Sequence, residues 1–198
     1  MGRPALAVRE PHDRAGVLQV ALRVFKERGY DGASMADIAA ALGISKSSLY
    51  HHIEGKEQLL DEAVSGALDA LFAVLEEPRA TAGAASARLE HVIRRTVGIT
   101  VTQLDAVSVL LRVRGNTAVE RRVVGRRREF DRRVEALVAA AVRDREVRND
   151  LDGALVTRLV FGMTNSVVEW FRPGRGISEV VLADAIVALC FHGLRTSP

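Results

Sequence analysis

Apolar residues recur in this chain at helical spacing from one end to the other, and nowhere at the period of two that a half-buried strand requires. The clearest run is 56–76, where Leu60, Val64, Ala67, Leu68, Leu71 and Leu75 hold one face over roughly six turns. A stripe of that length has to be covered by other helices, so the predicted fold class is all-α. The 198 residues suffice for a small domain and a larger one, and Glu54-Gly55 breaks the chain just before the long helix. We expect one domain over 1–55 and a second over 56–198, with the helix from 56 to about 76 linking them.

Residues 34–53 make a tight corner between two short helices. Ser34 can accept from the amide of Asp37, in a weakened capping box because Asp is shorter than the usual Glu or Gln. Met35, Ile38, Ala39 and Leu42 then share a face, and Gly43 supplies the left-handed residue that stops the helix. Ser45 caps a further helix from Lys46, which turns Leu49 and Ile53 inward and Lys46, Ser47, Ser48, Tyr50, His51 and His52 mostly outward. Upstream, Val17, Leu18, Ala21, Val24 and Phe25 form the stripe of a bracing helix that ends at Gly29, and residues 1–11 read as a basic arm.

An outward face rich in donors and poor in acids suits double-stranded DNA. Set in a major groove, the start of the third helix brings Ser45, Lys46, Ser47 and Ser48 to base edges, where Lys46 can donate to guanine O6 or N7. Tyr50 and His51, a turn further on, reach the sugar-phosphate backbone. Ser34 with the free amides of its helix, and Lys56, can each hold a further phosphate. His52 stays open between the core and DNA. The adjacent pair His51-His52 makes no metal site, since neighbouring helical residues point in different directions.

Ile38-Ala39, Gly43-Ile44-Ser45, Leu49-Tyr50-His51-His52 and Lys56-Glu57 with Leu59, together with Ala21, Phe25, Gly29-Tyr30 and Ser34, resemble the helix-turn-helix of TetR-type transcriptional repressors. The resemblance covers roughly the first quarter of the chain. It implies an N-terminal three-helix DNA-binding domain and a larger C-terminal helical domain for ligand binding and dimerisation. It also implies a repressor that grips a palindromic operator as a homodimer until a small-molecule effector releases it. Ile53 departs from the pattern, because the family usually has Phe there, and predicts looser packing beneath the reader.

Pro78 to Ala85 marks a loop, after which Leu89, Val92, Ile93, Val97 and Val101 form one helix and Val107 to Val113 a shorter one. A long helix over 117–145 turns Val123, Phe130, Val134, Leu137, Val138 and Ala141 inward. The next, capped within Asn149 to Asp152 and stopped at Pro173-Gly174, is nearly encircled by Leu155, Leu159, Val160, Met163, Val167 and Phe171. Ser178 caps the last, which carries Val181, Ala185, Ile186, Leu189 and Leu194. A helix apolar all round is buried on several sides. An intrachain core competes with packing against a second subunit; pairing through the last two helices is preferred, and it is also what the TetR-type resemblance implies.

The apolar share of 48%, the 27% charge and only five prolines describe a globular chain. No apolar run approaches the roughly 18 residues of a membrane span and no signal core opens the chain, so a cytoplasmic protein is expected. The single cysteine, Cys190, rules out an internal disulfide and reads as a buried thiol. No nucleophile with its base, phosphate loop, dinucleotide glycine motif or zinc spacing equips the chain for catalysis, and no resident cofactor or metal is expected.

The net charge of +3 hides an asymmetry: residues 112–148 hold twelve arginines against six acids, so the rest of the chain is net negative. Thr96, Thr100, Gln103, Ser108, Asn165, Glu169 and Trp170 are polar or amphipathic residues on otherwise apolar helices, a set that suits a greasy cavity with a few anchors. Arg126-x-x-x-Phe130, Val147-Arg148-x-Asp150-Leu151-Asp152 and Trp170-Phe171-Arg172-Pro173-Gly174 look like the TetR-type subgroup that senses acyl-CoA thioesters in lipid, steroid or aromatic-acid catabolism. That resemblance implies an acyl-CoA effector, with Arg121, Arg122, Arg126 and Arg172 as the candidate partners of its phosphates. A solvated basic face is the competing account of the arginines. A regulator without a ligand and a small helical enzyme are the competing accounts of the chain.

Overall fold

The computed structural model of the protein describes residues 13–51 and 53–194, without the side chains of 193 and 194. The basic arm at 1–11 and His52, and the side chain of Leu194, lie outside the described residues. Among those described, every regular element is a helix: α1 Arg14–Arg28, α2 Met35–Leu42, α3 Lys46–Tyr50, α4 Lys56–Glu76, α5 Pro78–Thr81, α6 Ala85–Thr102, α7 Leu104–Arg112, α8 Ala118–Arg143, α9 Gly153–Trp170 and α10 Glu179–Leu194. They form two compact units that divide inside α4, between Ala63 and Val64. No helix among the described residues is long and apolar enough to cross a membrane.

In the first unit, Asp13 caps α1 by accepting from the Gly16 amide at 2.7 Å, and Gly29, at φ 73°, turns the chain out of it. The buried stripe of α1 is Val17, Ala21, Leu22, Val24 and Phe25, with the Phe25 ring edge-on to Tyr30 at 5.3 Å. The capping box of α2 is complete in spite of the short acid: Ser34 Oγ accepts from Asp37 N–H, and Asp37 Oδ2 accepts from Ser34 N–H at 2.9 Å. Gly43, at φ 67° and ψ 31°, lets its own amide and that of Ile44 close the carboxyl end of α2 on Ala40 and Ala39. Ser45 caps α3 by accepting from Ser48 N–H at 3.1 Å. Ile53 is only 2% exposed, so the smaller aliphatic side chain is buried at the position where the resemblance predicted looser packing.

In the second unit α6 is the central helix, packed against α5, α7, α8, α9 and α10, with Val92, Ile93 and Val97 fully buried. Phe130 of α8 joins Phe72 of α4 and Phe161 of α9, at ring-centroid distances of 6.1 and 5.6 Å, and burying such a side chain contributes about 1.5–3 kcal/mol. The start of α8 is fixed by a second capping box, in which the buried Glu120 accepts from Thr117 N–H at 2.8 Å. Asp152 caps α9 and the hydroxyl of Ser178 accepts from Val181 N–H. The stretch expected to be a loop from Pro78 contains one helical turn, α5, because proline at its first position needs no hydrogen-bonded amide and its φ is preset for a helix.

The encircled helix α9 divides its apolar residues between two destinations. Val160, Val167 and Phe171 are buried in their own chain, whereas Leu155, Leu159 and Met163 remain 45%, 59% and 37% exposed. On α10, Val180, Val181 and Leu189 are each more than half exposed, while Ile186 and Cys190 are buried. Burial pushes the Cys190 thiol up from its ordinary value.

Candidate DNA-reading surface and effector cavity

Ser45, Lys46, Ser47, Ser48, Tyr50 and His51 all come to the surface of the first unit around the short helix α3. The Ser45 hydroxyl sits at the centre of a small network, 2.9 Å from Ser47 Oγ and 2.8 Å from Ser48 Oγ, so the start of α3 presents a preordered group of hydroxyls. Lys46 lies over the Tyr50 ring at 5.8 Å from its centre, one helical turn away. The pair leaves the ammonium at the surface and lends the long side chain a platform.

Two other positions expected to face phosphate already have partners in their own unit. Lys56 Nζ donates to the carbonyls of Tyr30 at 2.9 Å and Ala33 at 3.0 Å and stands 4.5 Å above the Tyr30 ring. Its charge ties the 30–33 turn to the start of α4. Ser34 is engaged with Asp37, and that carboxylate, paired with Arg28, puts a negative charge at the helix start where a phosphate was expected. The Ser34 hydroxyl and amide, with a smaller contribution from Arg28, hold the Asp37 carboxyl below the usual carboxylate range.

The second unit contains a cavity of about 950 Å³ walled by α4, α6, α7, α8 and α9. Leu71, Val107, Leu110, Leu111, Phe130 and Phe161 supply its apolar lining, and Thr96, Thr100, Thr157 and Asn165 its neutral polar groups. Four arginines border it, Arg127, Arg128, Arg132 and Arg158, against two acids, Asp131 and Glu135. Arg127 is anchored: its Nη1 donates to the carbonyls of Leu110 at 2.9 Å and Leu111 at 3.2 Å. Burial pulls its guanidinium below the ordinary arginine value and pushes the Asp131 carboxyl up, each effect partly offset by the other's charge. Arg128, Arg132 and Arg158 are exposed, Arg132 beside Glu129.

Of the candidate ligand residues, the fold brings Thr96, Thr100 and Asn165 together at this cavity. Gln103 ends α6 with its side-chain oxygen near Gly66, and Ser108 is fully buried in α7; neither lines the cavity. Arg126 turns to Asp69 at 2.7 Å and stacks over Phe72; Arg121 donates to the Asn116 carbonyl; Arg122 is exposed. Glu169 pairs with Arg112 at 3.0 Å, Arg172 donates to the carbonyls of Phe171 and Glu169, and Trp170 is half exposed against Phe171. None of these lines the cavity, and its arginines are instead Arg127, Arg128 and Arg132, further along α8, with Arg158 of α9.

A usable signal lay in two glycines. Gly125 and Gly162 sit inside α8 and α9, where glycine costs about 1 kcal/mol relative to alanine, and a Cβ at either would meet nothing within 4 Å. Both line the cavity. Packing within the chain does not require them.

A hydroxyl-bearing helix start on one unit and a cavity on the other define a regulator with separate reading and sensing parts. The chain belongs to the TetR family: residues 17–63 match the family described as bacterial regulatory proteins, tetR family, and residues 82–194 the tetracyclin repressor-like C-terminal domain. It is a ligand-responsive DNA-binding transcriptional repressor of that family, whose members are regulators and not enzymes. It is similar to the HTH-type transcriptional repressor KstR2 of Rhodococcus jostii (strain RHA1), with 30% identity over 91% of this chain and 90% of that protein. Among solved structures, SCO3833, a TetR-family member from Streptomyces coelicolor A3, superposes with a TM-score of 0.87 at 50% identity, covering 98% of this chain and 100% of that one. The ketosteroid transcriptional regulator KstR2 of Mycobacterium tuberculosis superposes with a TM-score of 0.83 at 25% identity, covering 95% and 98%.

Proposed function

We propose that this repressor works as a homodimer paired through α9 and α10 on a palindromic operator, and that its effector is an acyl-CoA thioester. The observation that carries the effector class is the composition of the cavity: an apolar interior with arginines at its exposed border suits a greasy acyl group attached to a phosphate-rich carrier. Arg128, Arg132 and Arg158 are the phosphate partners in this reading, in place of Arg121, Arg122, Arg126 and Arg172. The subunit contact is supported by Leu155, Leu159 and Met163 of α9 and Val180, Val181 and Leu189 of α10, apolar side chains that a lone chain leaves in water. Two reading heads then engage half-sites about 34 Å, or a multiple of it, apart.

Release requires that the effector bind the DNA-incompetent arrangement more tightly than the competent one, and operator DNA then weakens effector binding by the same factor. The helix α4 is the available carrier, since Leu71 lines the cavity and residues 56–63 of the same helix belong to the first unit. Native mass spectrometry of freshly purified protein tests the reading in one measurement. The expected species is a dimer with a co-purified mass in the range of CoA esters, or one that takes up an added acyl-CoA stoichiometrically. A monomer at micromolar concentration contradicts the pairing, and a dimer that retains no acyl-CoA contradicts the effector class.

A further inference from the structure

Six threonines lie within described helices, and five of them treat their hydroxyls alike. Thr81, Thr100, Thr102, Thr157 and Thr164 each donate to the carbonyl four residues back, the usual way a helical threonine satisfies itself. Thr96 is the exception among the described residues. It is only 4% exposed, lines the cavity, and its Oγ1 has no hydrogen-bond partner. A buried hydroxyl without a partner is destabilising, so the cavity wall carries an unsatisfied polar group.

The position of that group matters. Thr96 lies on α6, the helix covered by five others, whereas Arg128, Arg132 and Arg158 are exposed on α8 and α9. The cavity therefore has a charged outer border, with half-buried Arg127, Asp131 and Asn165 behind it and the threonine hydroxyls as the fully buried polar groups of its wall. Those of Thr100 and Thr157 already donate within their helices. Threonine keeps two χ1 wells in a helix, so a rotation about one bond can present the Thr96 hydroxyl to a ligand.

We infer that the effector carries an oxygen at the buried end of its carbon skeleton, a hydroxyl or keto group that pairs with Thr96, and is not a plain saturated acyl chain. This rests on the acyl-CoA reading and narrows it. An acyl-CoA entering with its phosphates at the arginines places the far end of its acyl group against α6. A bare methyl end leaves Thr96 unsatisfied, and an oxygenated end completes it. Discrimination by a buried, otherwise unpaired hydroxyl is worth about tenfold in affinity or more.

The test is calorimetric titration of the full-length protein with matched pairs of saturated and terminally hydroxylated acyl-CoAs, from medium to long chains. Wild-type protein is expected to prefer the hydroxylated member of at least one pair by about tenfold. Thr96→Val, which keeps the shape and removes the hydroxyl, is expected to erase that preference while binding the saturated member at least as well; Thr96→Ser is expected to keep it. Thermal unfolding of unliganded Thr96→Val, expected at or above the wild-type midpoint, confirms that the variant is folded. Saturated and hydroxylated members bound equally by wild type, or a preference that survives Thr96→Val, overturns the inference and leaves the acyl-CoA reading intact. No binding by any member of any pair overturns that reading and the inference with it.

Discussion

The two units carry their chemistry in opposite ways. In the first, the candidate DNA contacts fall between Ser34 and Lys56, and all but Lys56 take their geometry from local bonds: one capping box, one left-handed glycine, one serine cap. In the second, the cavity draws on α4, α6, α7, α8 and α9, from Leu71 to Asn165, and packing between helices, more than any local bond, decides which side chains line it. A reader of DNA can be written as a short word. A receptor for a small molecule is a property of how several helices happen to meet.

The sharpest way to break this comparison is to place the same charge at two apolar positions of α9. Val167→Glu buries an unpaired carboxylate at a position that is 0% exposed, and about 3–5 kcal/mol of destabilisation is expected, enough to remove cooperative unfolding of the second unit in urea. Leu159→Glu, at 59% exposure, is expected to leave the chain folded and to abolish the dimer. Sedimentation should show a monomer, and operator affinity should fall about 100-fold or more through loss of bivalent grip. If Leu159→Glu stays dimeric, α9 is not the contact.

A smaller pair of changes separates base reading from phosphate holding on the first unit. Lys46→Ala is expected to lose about 1–3 kcal/mol of discrimination at one base pair, whereas Tyr50→Phe should weaken binding to operator and random duplex alike by about 1 kcal/mol. Because Lys46 lies over the Tyr50 ring, the double variant should depart from the sum of the singles. Fluorescence anisotropy on operator variants substituted one base pair at a time reads both. An equal loss on every duplex for Lys46→Ala removes it as a reader.

Gly125→Ala sharpens the receptor side. With open space where its Cβ goes, the substitution should stabilise unliganded protein by about 0.5–1 kcal/mol and weaken effector binding, a stability gain at the cost of function. Alanine that changes neither denies the glycine a role in clearance.

The smallest expected effect concerns the α2 cap. The carboxyl of Asp37 is held low by Ser34 and Arg28, so its stabilising contribution is present above the ordinary carboxylate value and is lost as pH falls through its lower folded value. The stability difference between wild type and Asp37→Asn should therefore be constant near neutrality and shrink in acid below about pH 4. A difference independent of pH means the charge of Asp37 does nothing for the cap.

The corner from Ser34 to Ile53, with its serine caps and its left-handed glycine, was legible because hydrogen bonds within three or four residues decide it, and the stripe of α4 because it repeats over the whole helix; the capping box of Thr117 and Glu120 went unread. The arginines were not. Arg126 and Arg127 are adjacent, about 100° apart around α8, and one turns to Asp69 and Phe72 while the other reaches the carbonyls of Leu110 and Leu111. Sequence alone could count the positive charge of 112–148, but which of its faces bordered a cavity depended on where α7 and α9 came to rest. The same holds for Val167: its place in an apolar pattern suggested an interface, and tertiary packing buries it within its own chain while leaving Leu155, Leu159 and Met163 at the surface. Lys56 was read as a phosphate ligand because a basic residue at a helix start beside a DNA reader invites that reading; its bonds to the carbonyls of Tyr30 and Ala33 span more than twenty residues, and no local pattern signals them.

Whether the arginine-bordered cavity takes a phosphate-bearing acyl group is tested most directly on the operator-bound protein. Labelled operator duplex with saturating protein is titrated with an acyl-CoA panel, the corresponding free fatty acids and free CoA, using wild type and Arg128→Ala/Arg132→Ala. The account predicts a fall in anisotropy with at least one acyl-CoA, little with its free acid or with CoA alone, and a clear rightward shift in the arginine variant. Release by the free acid at the same concentration as its CoA ester, or an unchanged curve in the variant, contradicts it.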